Sequence, residues 1–259
     1  DEDLHLADRL RGSVTVEVRF VRPGDLEGAV DGAEDEVVLA RAAARLVEPE
    51  GLSVVSDIDD TVKVTEVFRG TEAMLRNTFL RGFRAVDGMA ALYRRWASDY
   101  GAVVQYVSKS PPELHDPLRA FLEGARFPVS SVNLCSLFSR DRSTFKQREI
   151  ERILADFPRR QFVLVGDSGE HDPEIYADLL RRHPSQVVKV LIREVDPSRP
   201  VDTVGVFGGI RTSQWQVFRD ASEVTLPELK SKSWRLPWMA APAKAGGSGG
   251  GGAFRAALA

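Results

Sequence analysis

The stretch Leu52-Ser53-Val54-Val55-Ser56-Asp57-Ile58-Asp59-Asp60-Thr61 decides the fold. Its first half is a short apolar run that reads as a buried strand. Its second half sets two carboxylates, Asp57 and Asp59, two residues apart at the C-terminal end of that strand. A buried carboxylate has to be paired, hydrogen-bonded or bound to a metal. The spacing suits Asp57 as a nucleophile, Asp59 as an acid/base and one divalent cation beside them. Together these perform phosphoryl transfer through an aspartyl-phosphate. Turn chemistry alone also places Asp after strands, so the reading depends on what else the chain supplies.

A second buried run, Gln161-Phe162-Val163-Leu164-Val165, leads into Gly166-Asp167-Ser168-Gly169-Glu170-His171-Asp172, which brings two more carboxylates to a strand end. Between the two motifs, Ala102-Val103-Val104-Gln105-Tyr106-Val107 leads into Ser108, and Lys146 falls in a helical stretch from Ser143 to Phe157. From residue 51 onward, apolar strands alternate with amphipathic helices. Strands are expected at 52–57, 102–107, 132–138, 161–166 and 186–192, and helices at 71–80, 88–100, 112–124, 143–156 and 173–183. This alternation implies an α/β domain with a parallel sheet covered by helices on both faces. Ligands of such sheets bind at the C-terminal strand ends, where both acidic motifs and Ser108 fall. Asp172-Pro173 and Ser110-Pro111 read as capping residues before helix-starting prolines. A helix N-terminus beside Ser108 would present free N–H groups to an anion.

The order nucleophile, hydroxyl, lysine, acidic pair resembles the four motifs of the haloacid dehalogenase (HAD) superfamily of phosphatases. That resemblance implies a HAD-like Rossmannoid sheet and the following chemistry. Asp57 attacks phosphorus; Asp59 protonates the departing alkoxide and then deprotonates the hydrolytic water. Thr61 secures the turn and belongs to the phosphate-binding set. Mg²⁺, a cation that prefers oxygen ligands and keeps several waters, is held by Asp57, the backbone carbonyl of Asp59 and Asp167, with Asp172 ligating directly or through water. Ser108 hydrogen-bonds a phosphoryl oxygen, and Lys146 neutralises charge on the phosphate and on Asp57. Plainer roles remain open at several positions: an exposed helix lysine for Lys146, a turn serine for Ser108 and a helix cap for Asp172. His171 is read as solvated, and His5, His115 and His183 have no metal-ligand spacing.

Composition bounds the rest. The chain has 259 residues, 43% hydrophobic and 28% charged, as in an ordinary globular protein. Its net charge of −3 argues against a general nucleic-acid binder. The balance is uneven: residues 1–36 hold eleven acidic and four basic side chains, −7, which leaves +4 for the remainder. No run of about 18 apolar residues is present, so no transmembrane segment is expected. The start, Asp1-Glu2-Asp3, is acidic, unlike a signal peptide, and lacks an initiator Met, as in a fragment or processed chain. The single cysteine, Cys135, excludes an internal disulfide and reads as a small buried hydrophobe. A cytoplasmic setting, peripheral at a membrane surface, is expected; no residue pattern specifies an oligomeric state.

Three segments are expected. Residues 1–50 form a small β-rich N-terminal appendage: Ser13 to Val21 alternates as a half-exposed strand, Pro23-Gly24-Asp25 turns the chain, and 36–47 is ambiguous between strand and helix. Residues 51–228 form the catalytic domain. Residues 229–259 form a flexible tail that contains the Gly-rich run Gly246-Gly-Ser-Gly-Gly-Gly-Gly252.

A narrower resemblance rests on three longer segments. Gly51 to Val67, Tyr106-Val-Ser-Lys-Ser-Pro111, and Phe162-Val-Leu-Val-Gly-Asp-Ser-Gly-Glu-His-Asp-Pro-Glu-Ile-Tyr176 look like the motifs of the actin-patch-associated phosphatidate phosphatases. The likeness covers roughly residues 50 to 195. It implies Mg²⁺-dependent hydrolysis of phosphatidate to diacylglycerol on a domain similar to the lipin catalytic domain. It also places Lys109 beside the substrate phosphate, although the family usually shows Asn or Gly there and an aromatic at Pro112. Residues 67–86 interleave Arg69, Arg76, Arg81 and Arg84 with Phe68, Met74, Leu75, Phe79, Leu80 and Phe83; the net charge over 69–84 is +3. This segment suits a flap resting on an anionic lipid surface and equally an ordinary amphipathic helix. Lys230 to Lys244, with Trp234 and Trp238, is a second basic-aromatic stretch. Two other functions remain open: a HAD-type phosphatase of a soluble phosphomonoester, and a catalytically dead phosphatidate-binding module.

Overall fold

Strand β3 (Gly51–Ser56) lies at the centre of a six-stranded sheet, and all six of its residues are buried. Successive strand side chains point to opposite faces, so a strand buried along its whole length is covered on both. The computed structural model describes residues 14–20, 37–44, 47–65, 83–136, 138 and 141–226. The expected helix at 71–80, most of the Arg-rich segment 67–86, the stretch Lys230 to Lys244 and the tail 229–259 lie outside these residues.

The chain divides into two units between Glu48 and Pro49. In the first, β1 (Val14–Phe20) and β2 (Val37–Ala44) pair antiparallel, with a register shift between Val18 and Arg19. The ambiguity over 36–47 thus resolves as strand: cross-strand pairing outweighs the helix preference of the Ala-rich half.

In the second unit, β3 is followed by α1 (Met89–Tyr100), β4 (Val103–Ser108), α2 (His115–Gly124), β5 (Ser131–Leu134), α3 (Phe145–Asp156), β6 (Arg160–Asp167), α4 (Asp172–Arg182), β7 (Val187–Arg193), α5 (Thr203–Phe207) and β8 (Trp215–Phe218). The strand order is β5-β4-β3-β6-β7-β8, every pair parallel. The α/β class with a parallel sheet and helical crossovers is as expected. The chain starts at the centre, winds outward through β4 and β5, then returns to the other side of β3 with β6. That reversal opens a crevice at the C-terminal ends of β3, β4 and β6, the three strands that carry the sequence motifs.

The core explains why these segments fold so. Helix α1 buries Met89, Leu92, Tyr93 and Trp96 at helical spacing. Tyr93 and Trp96 stack at 5.1 Å between centroids, and Phe127 meets Tyr93 edge-on at 5.8 Å. The Tyr93 hydroxyl is not stranded in this packing: it lies 2.8 Å from Ser56 Oγ. At the opposite end of β3, buried Arg160 donates to Ser53 Oγ and to the backbone carbonyls of Glu50 and Leu52. It satisfies the start of the central strand much as Asp57 N, which donates to Val165 O at 2.9 Å, locks its end.

Boundaries differ from expectation in instructive places. Strand β5 stops at Leu134 rather than reaching Phe138, which is 92% exposed. The chain after Pro111 makes a 3-10 turn, Pro112–Leu114, before α2 begins at His115. Strand β8 and helix α5 are elements that the apolar-run reading did not detect; β8 is only four residues long and, among the described residues, pairs only with β7.

Candidate active site

The chain after β3 turns tightly. Val62 N and Lys63 N both donate to Ile58 O, and Asp60 N donates to Lys63 O at 2.7 Å. Asp60 takes φ 54°, in the left-handed region that Asp tolerates better than most residues. Its carboxylate accepts Thr65 N at 2.8 Å, and its carbonyl accepts Arg193 Nη1 at 2.7 Å. The turn is therefore held from its own far end and from β7. Beyond it, Lys63 bridges Ala85, while Val64 N donates to Arg84 O and Val86 N to Val62 O, which ties residues 62–64 to residues 84–86.

This turn aims Asp57 and Asp59 into different surroundings. Asp57 is 3% exposed, with Lys146 Nζ 3.1 Å from Oδ1 and Thr61 Oγ1 3.5 Å from Oδ2. Thr61 is fully buried against the aspartate it accompanies. Asp59 is ringed by donors: Lys63 Nζ at 2.7 Å and Thr65 Oγ1 at 2.7 Å on Oδ1, Ser110 Oγ at 2.8 Å and Ser108 Oγ at 3.2 Å on Oδ2. Burial pushes the Asp59 carboxyl up, but Lys63, with the Thr65 and Ser110 hydroxyls, outweighs it and holds the group below the usual carboxylate range. Asp57 goes the other way. Burial, reinforced by Asp172, Asp167 and Glu170, overcomes Lys146 and raises its carboxyl well above the usual range.

Strand β6 delivers Asp167, and the first turn of α4 delivers Asp172. Asp57, Asp167 and Asp172 each offer an oxygen within 4.8 Å of the others'. Asp167 Oδ1 accepts Gly169 N at 2.6 Å; Asp172 Oδ1 accepts Lys146 Nζ at 2.5 Å. Their second oxygens, together with the Tyr176 hydroxyl, are buried without a hydrogen-bond partner. Burial, with Asp172 as the next cause, drives Asp167 well above the usual carboxylate range, and burial raises Asp172 despite Lys146. Lys146, completely buried, is disfavoured as a cation by burial, yet Asp172 and Asp57 hold it protonated far into the basic range. Three clustered carboxylates against one ammonium leave negative charge uncompensated, and two carboxylate oxygens are orphaned. A hard divalent cation supplies what this donor set lacks, so the residues present fit Mg²⁺.

The expected site residues therefore come together. Asp57, Thr61, Lys146, Asp167 and Asp172 gather in one cluster, Asp59 and Ser108 meet in a second one two residues along the same turn, and Lys109 reaches the first through Glu170, whose Oε2 lies 3.1 Å from Lys109 Nζ and 3.9 Å from Lys146 Nζ. Two capping expectations are corrected. Asp172 is the first helical residue of α4 with His171 before it, and its carboxylate goes to Lys146 instead of capping. Ser110 caps nothing: Pro111 precedes the 3-10 turn, and the Ser110 hydroxyl donates to Asp59.

Lys63, Thr65, Ser110, Glu170 and Tyr176 belong to the site without having been read as such. A faint signal existed for Lys63 and Thr65, which lie four and six residues beyond Asp59 in a turn otherwise apolar at Val62 and Val64. Gly166 has a steric reason. A Cβ there would meet Asp172 Oδ2 at 2.3 Å and Tyr176 Cε2 at 2.7 Å, so the α4 side chains close over a bare backbone.

Residues 52–194 match the family model described as phosphatidate phosphatase APP1, catalytic domain. The Saccharomyces cerevisiae phosphatidate phosphatase APP1 is 34% identical over 159 residues, 58% of this chain and 27% of that protein. An uncharacterized Schizosaccharomyces pombe protein is 29% identical over 173 residues, 63% of this chain and 28% of its own length. The chain thus spans little more than a quarter of these relatives. Among solved structures, a haloacid dehalogenase-like hydrolase of Burkholderia xenovorans aligns over 66% of this chain and 94% of that one, at 13% identity and a TM-score of 0.40.

Proposed function

This chain belongs to the family of the phosphatidate phosphatase APP1 catalytic domain, and from that premise we propose that it is a Mg²⁺-dependent phosphatidate phosphatase working through an aspartyl-phosphate. The observation that carries the proposal is the pair of unlike aspartates on one turn: buried Asp57 touching Lys146, and Asp59 held by four donors at the crevice edge.

Asp57 is the nucleophile. Its carboxylate stands at the end of the central strand, locked by the backbone bond to Val165 and by Thr61. Lys146 lowers the cost of bringing an anion to it. Attack forms the Asp57–phosphorus bond as the phosphorus–alkoxide bond breaks, and Asp59, ionised at rest, first takes up a proton from solvent as the phosphate arrives and then delivers it to the alkoxide. Asp59, then ionised and held so by Lys63, takes a proton from water, whose oxygen attacks phosphorus and releases Asp57 and inorganic phosphate. Ser108, Lys109 and Lys146 bind the phosphoryl oxygens, with Thr61 ordering the turn beneath. Asp57, the carbonyl of Asp59 and Asp167, with Asp172 beside them, would hold Mg²⁺, which would supply the positive charge that lets a carboxylate approach a phosphate.

The lipid substrate is carried over from the family and from the Saccharomyces cerevisiae relative rather than from the catalytic chemistry, which any phosphomonoester satisfies. A peripheral position at a cytoplasmic membrane surface is part of the same proposal. No helix among the described residues is long and apolar enough to cross a membrane.

The test is Mg²⁺-dependent phosphate release from phosphatidate in mixed micelles, beside a panel of soluble phosphomonoesters, with Asp57→Asn as control. Release from the lipid that vanishes with the substitution or with chelation supports the proposal. Release from soluble esters alone retains the chemistry and discards the lipid. Phosphatidate binding without release from any ester overturns the enzymatic reading in favour of a binding module.

A further inference from the structure

Arg193, the last residue of β7, holds the residue that follows each of two expected cation ligands. Asp60 follows Asp59, and its carbonyl accepts Arg193 Nη1 at 2.7 Å. Ser168 follows Asp167, and its N–H donates to Arg193 O at 2.9 Å. Asp167 and Arg193 are also register partners in the ladder between β6 and β7. Asp57 is fixed otherwise, since its N–H already bonds Val165 O across from β3 to β6. Beyond Asp57 the turn leaves the sheet and takes the Asp59 carbonyl with it.

The backbone at Asp60 shows why a clamp matters there. Its φ of 54° is left-handed, a conformation that is unfavourable for a residue with a side chain and persists where the surroundings impose it. The peptide before Asp60 is fixed by its N–H on Lys63 O, and the peptide after it by Arg193. Rotation of the first peptide would reorient the Asp59 carbonyl, the ligand expected from this turn. Stability alone does not account for a guanidinium here. Arg193 Nε is buried with no hydrogen-bond partner among the described residues, and an unpaired buried donor is destabilising. Attraction of a cation does not account for it either, because a positive charge near the carboxylate cluster repels one.

We propose that Arg193 is a positioning residue: it sets the span between the Asp59 carbonyl and Asp167, and thereby the preference of the site for Mg²⁺ over a larger cation such as Ca²⁺. The proposal rests on the phosphatase reading and its cation site. Mg²⁺ demands near-ideal octahedral geometry, whereas Ca²⁺ accepts more ligands in a looser arrangement. A span held from β7 suits the first, and loosening it penalises the first more than the second. Residues that orient ligands without touching the metal contribute about 10- to 100-fold in affinity.

The test compares wild type, Arg193→Met and Arg193→Lys. The Arg193 side chain lines a cavity of about 200 Å³ with Val64, Arg84 and Asp220, so both replacements have room. Mg²⁺ and Ca²⁺ affinities are read from the rise of the thermal midpoint with cation concentration, beside phosphate release at limiting and saturating Mg²⁺. Arg193→Met is expected to bind Mg²⁺ about tenfold more weakly or worse and Ca²⁺ no more than about threefold more weakly, so the ratio of the two affinities falls. Arg193→Lys keeps the charge but not the planar fork, and its ratio falls in the same direction by a smaller factor. A residue acting through charge alone gives the opposite sign: Arg193→Met then binds both cations more tightly by one factor, and Arg193→Lys matches wild type. A ratio within about twofold of wild type in both variants overturns the proposal, whatever their stability without cation. If Arg193→Met does not fold, the ratio for Arg193→Lys decides. Failure of the underlying reading looks different: the wild-type midpoint then responds to neither cation, and no phosphate is released.

Discussion

Lys146 Nζ and Asp172 Oδ1 meet at 2.5 Å, and neither side chain is exposed to solvent. Lys146 points from the first turn of α3 and Asp172 from the first turn of α4, so this contact joins two crossover helices directly under Asp57. Removing one partner of such a pair strands the other charge at a cost of about 3–5 kcal/mol. Lys146→Met is expected to lower the midpoint of denaturant unfolding accordingly and to reduce phosphate release by about 10²–10³-fold or more, the usual loss when a buried electrostatic donor is removed. Adding Asp172→Asn should return part of the stability and none of the activity. If stability and activity recovered together, Lys146 would be a structural cation only.

Gly166 offers a sharper steric test. Its missing Cβ leaves room for Asp172 Oδ2 and Tyr176, both closer than 3 Å to where that atom would be. Gly166→Ala must therefore push the Asp172 carboxylate off Lys146 or separate α4 from β6. Overpacking of this kind costs about 1–3 kcal/mol. We expect a fall in thermal midpoint together with weaker Mg²⁺ activation, read as a higher Mg²⁺ concentration for half-maximal activity. A variant with unaltered Mg²⁺ response would show that Asp172 plays no part near the cation.

Lys63 tests the division of labour between the two aspartates. It is 1% exposed, lies 2.7 Å from Asp59 Oδ1, and stands 4.9 Å from the Phe83 ring centroid. Lys63→Met leaves Asp59 with three hydroxyl donors and no cation. Acid/base groups contribute about 10²–10⁴-fold, and misplacing one forfeits part of that. The expected kcat is on the order of 10- to 100-fold below wild type, still above Asp59→Asn, whereas Ser110→Ala, which removes one neutral hydrogen bond, falls less. A Lys63→Met enzyme as slow as Asp59→Asn would mean that Lys63 itself serves the reaction.

The sequence revealed the scaffold more readily than the details of the site. Buried parallel strands are nearly continuous apolar runs, so β3, β4, β6 and β7 stand out, and a nucleophile after one such run with an acidic pair after another points to a shared crevice. Strand β8 escaped because Trp215-Gln-Val-Phe218 is too short to show a period. The order in which strands pair is a tertiary property that no local pattern encodes. Asp172 and Ser110 were read as caps because local turn chemistry rewards exactly those residues before proline; the contacts that claim their side chains, Lys146 and Asp59, come from 26 and 51 residues away. Glu170 was not read as part of the site for the same reason, since its contacts are with two lysines brought in by other elements, the loop after β4 and helix α3.

The buried aspartates also fix how stability must respond to pH once divalent cations are chelated. The folded pKa values of Asp57 and Asp167 are raised, by burial first. A raised carboxyl binds its proton more tightly in the folded state than in the unfolded one. Its contribution to stability is complete below the unfolded value of about 4 and is lost as pH rises through the folded value. In EDTA, the wild-type thermal midpoint should therefore decline relative to that of Asp167→Asn as pH increases from about 4 upward, because the amide has no proton to lose. Mg²⁺ should reverse that decline, with an effect larger at pH 8 than at pH 5, since a cation held at this cluster would bind its deprotonated form. Asp59, whose folded pKa is lowered, contributes the opposite slope in both proteins and cancels from the difference. Parallel pH profiles for wild type and Asp167→Asn in EDTA would show that Asp167 is not held protonated by the fold, and the electrostatic case for a cation at this cluster would fall with it.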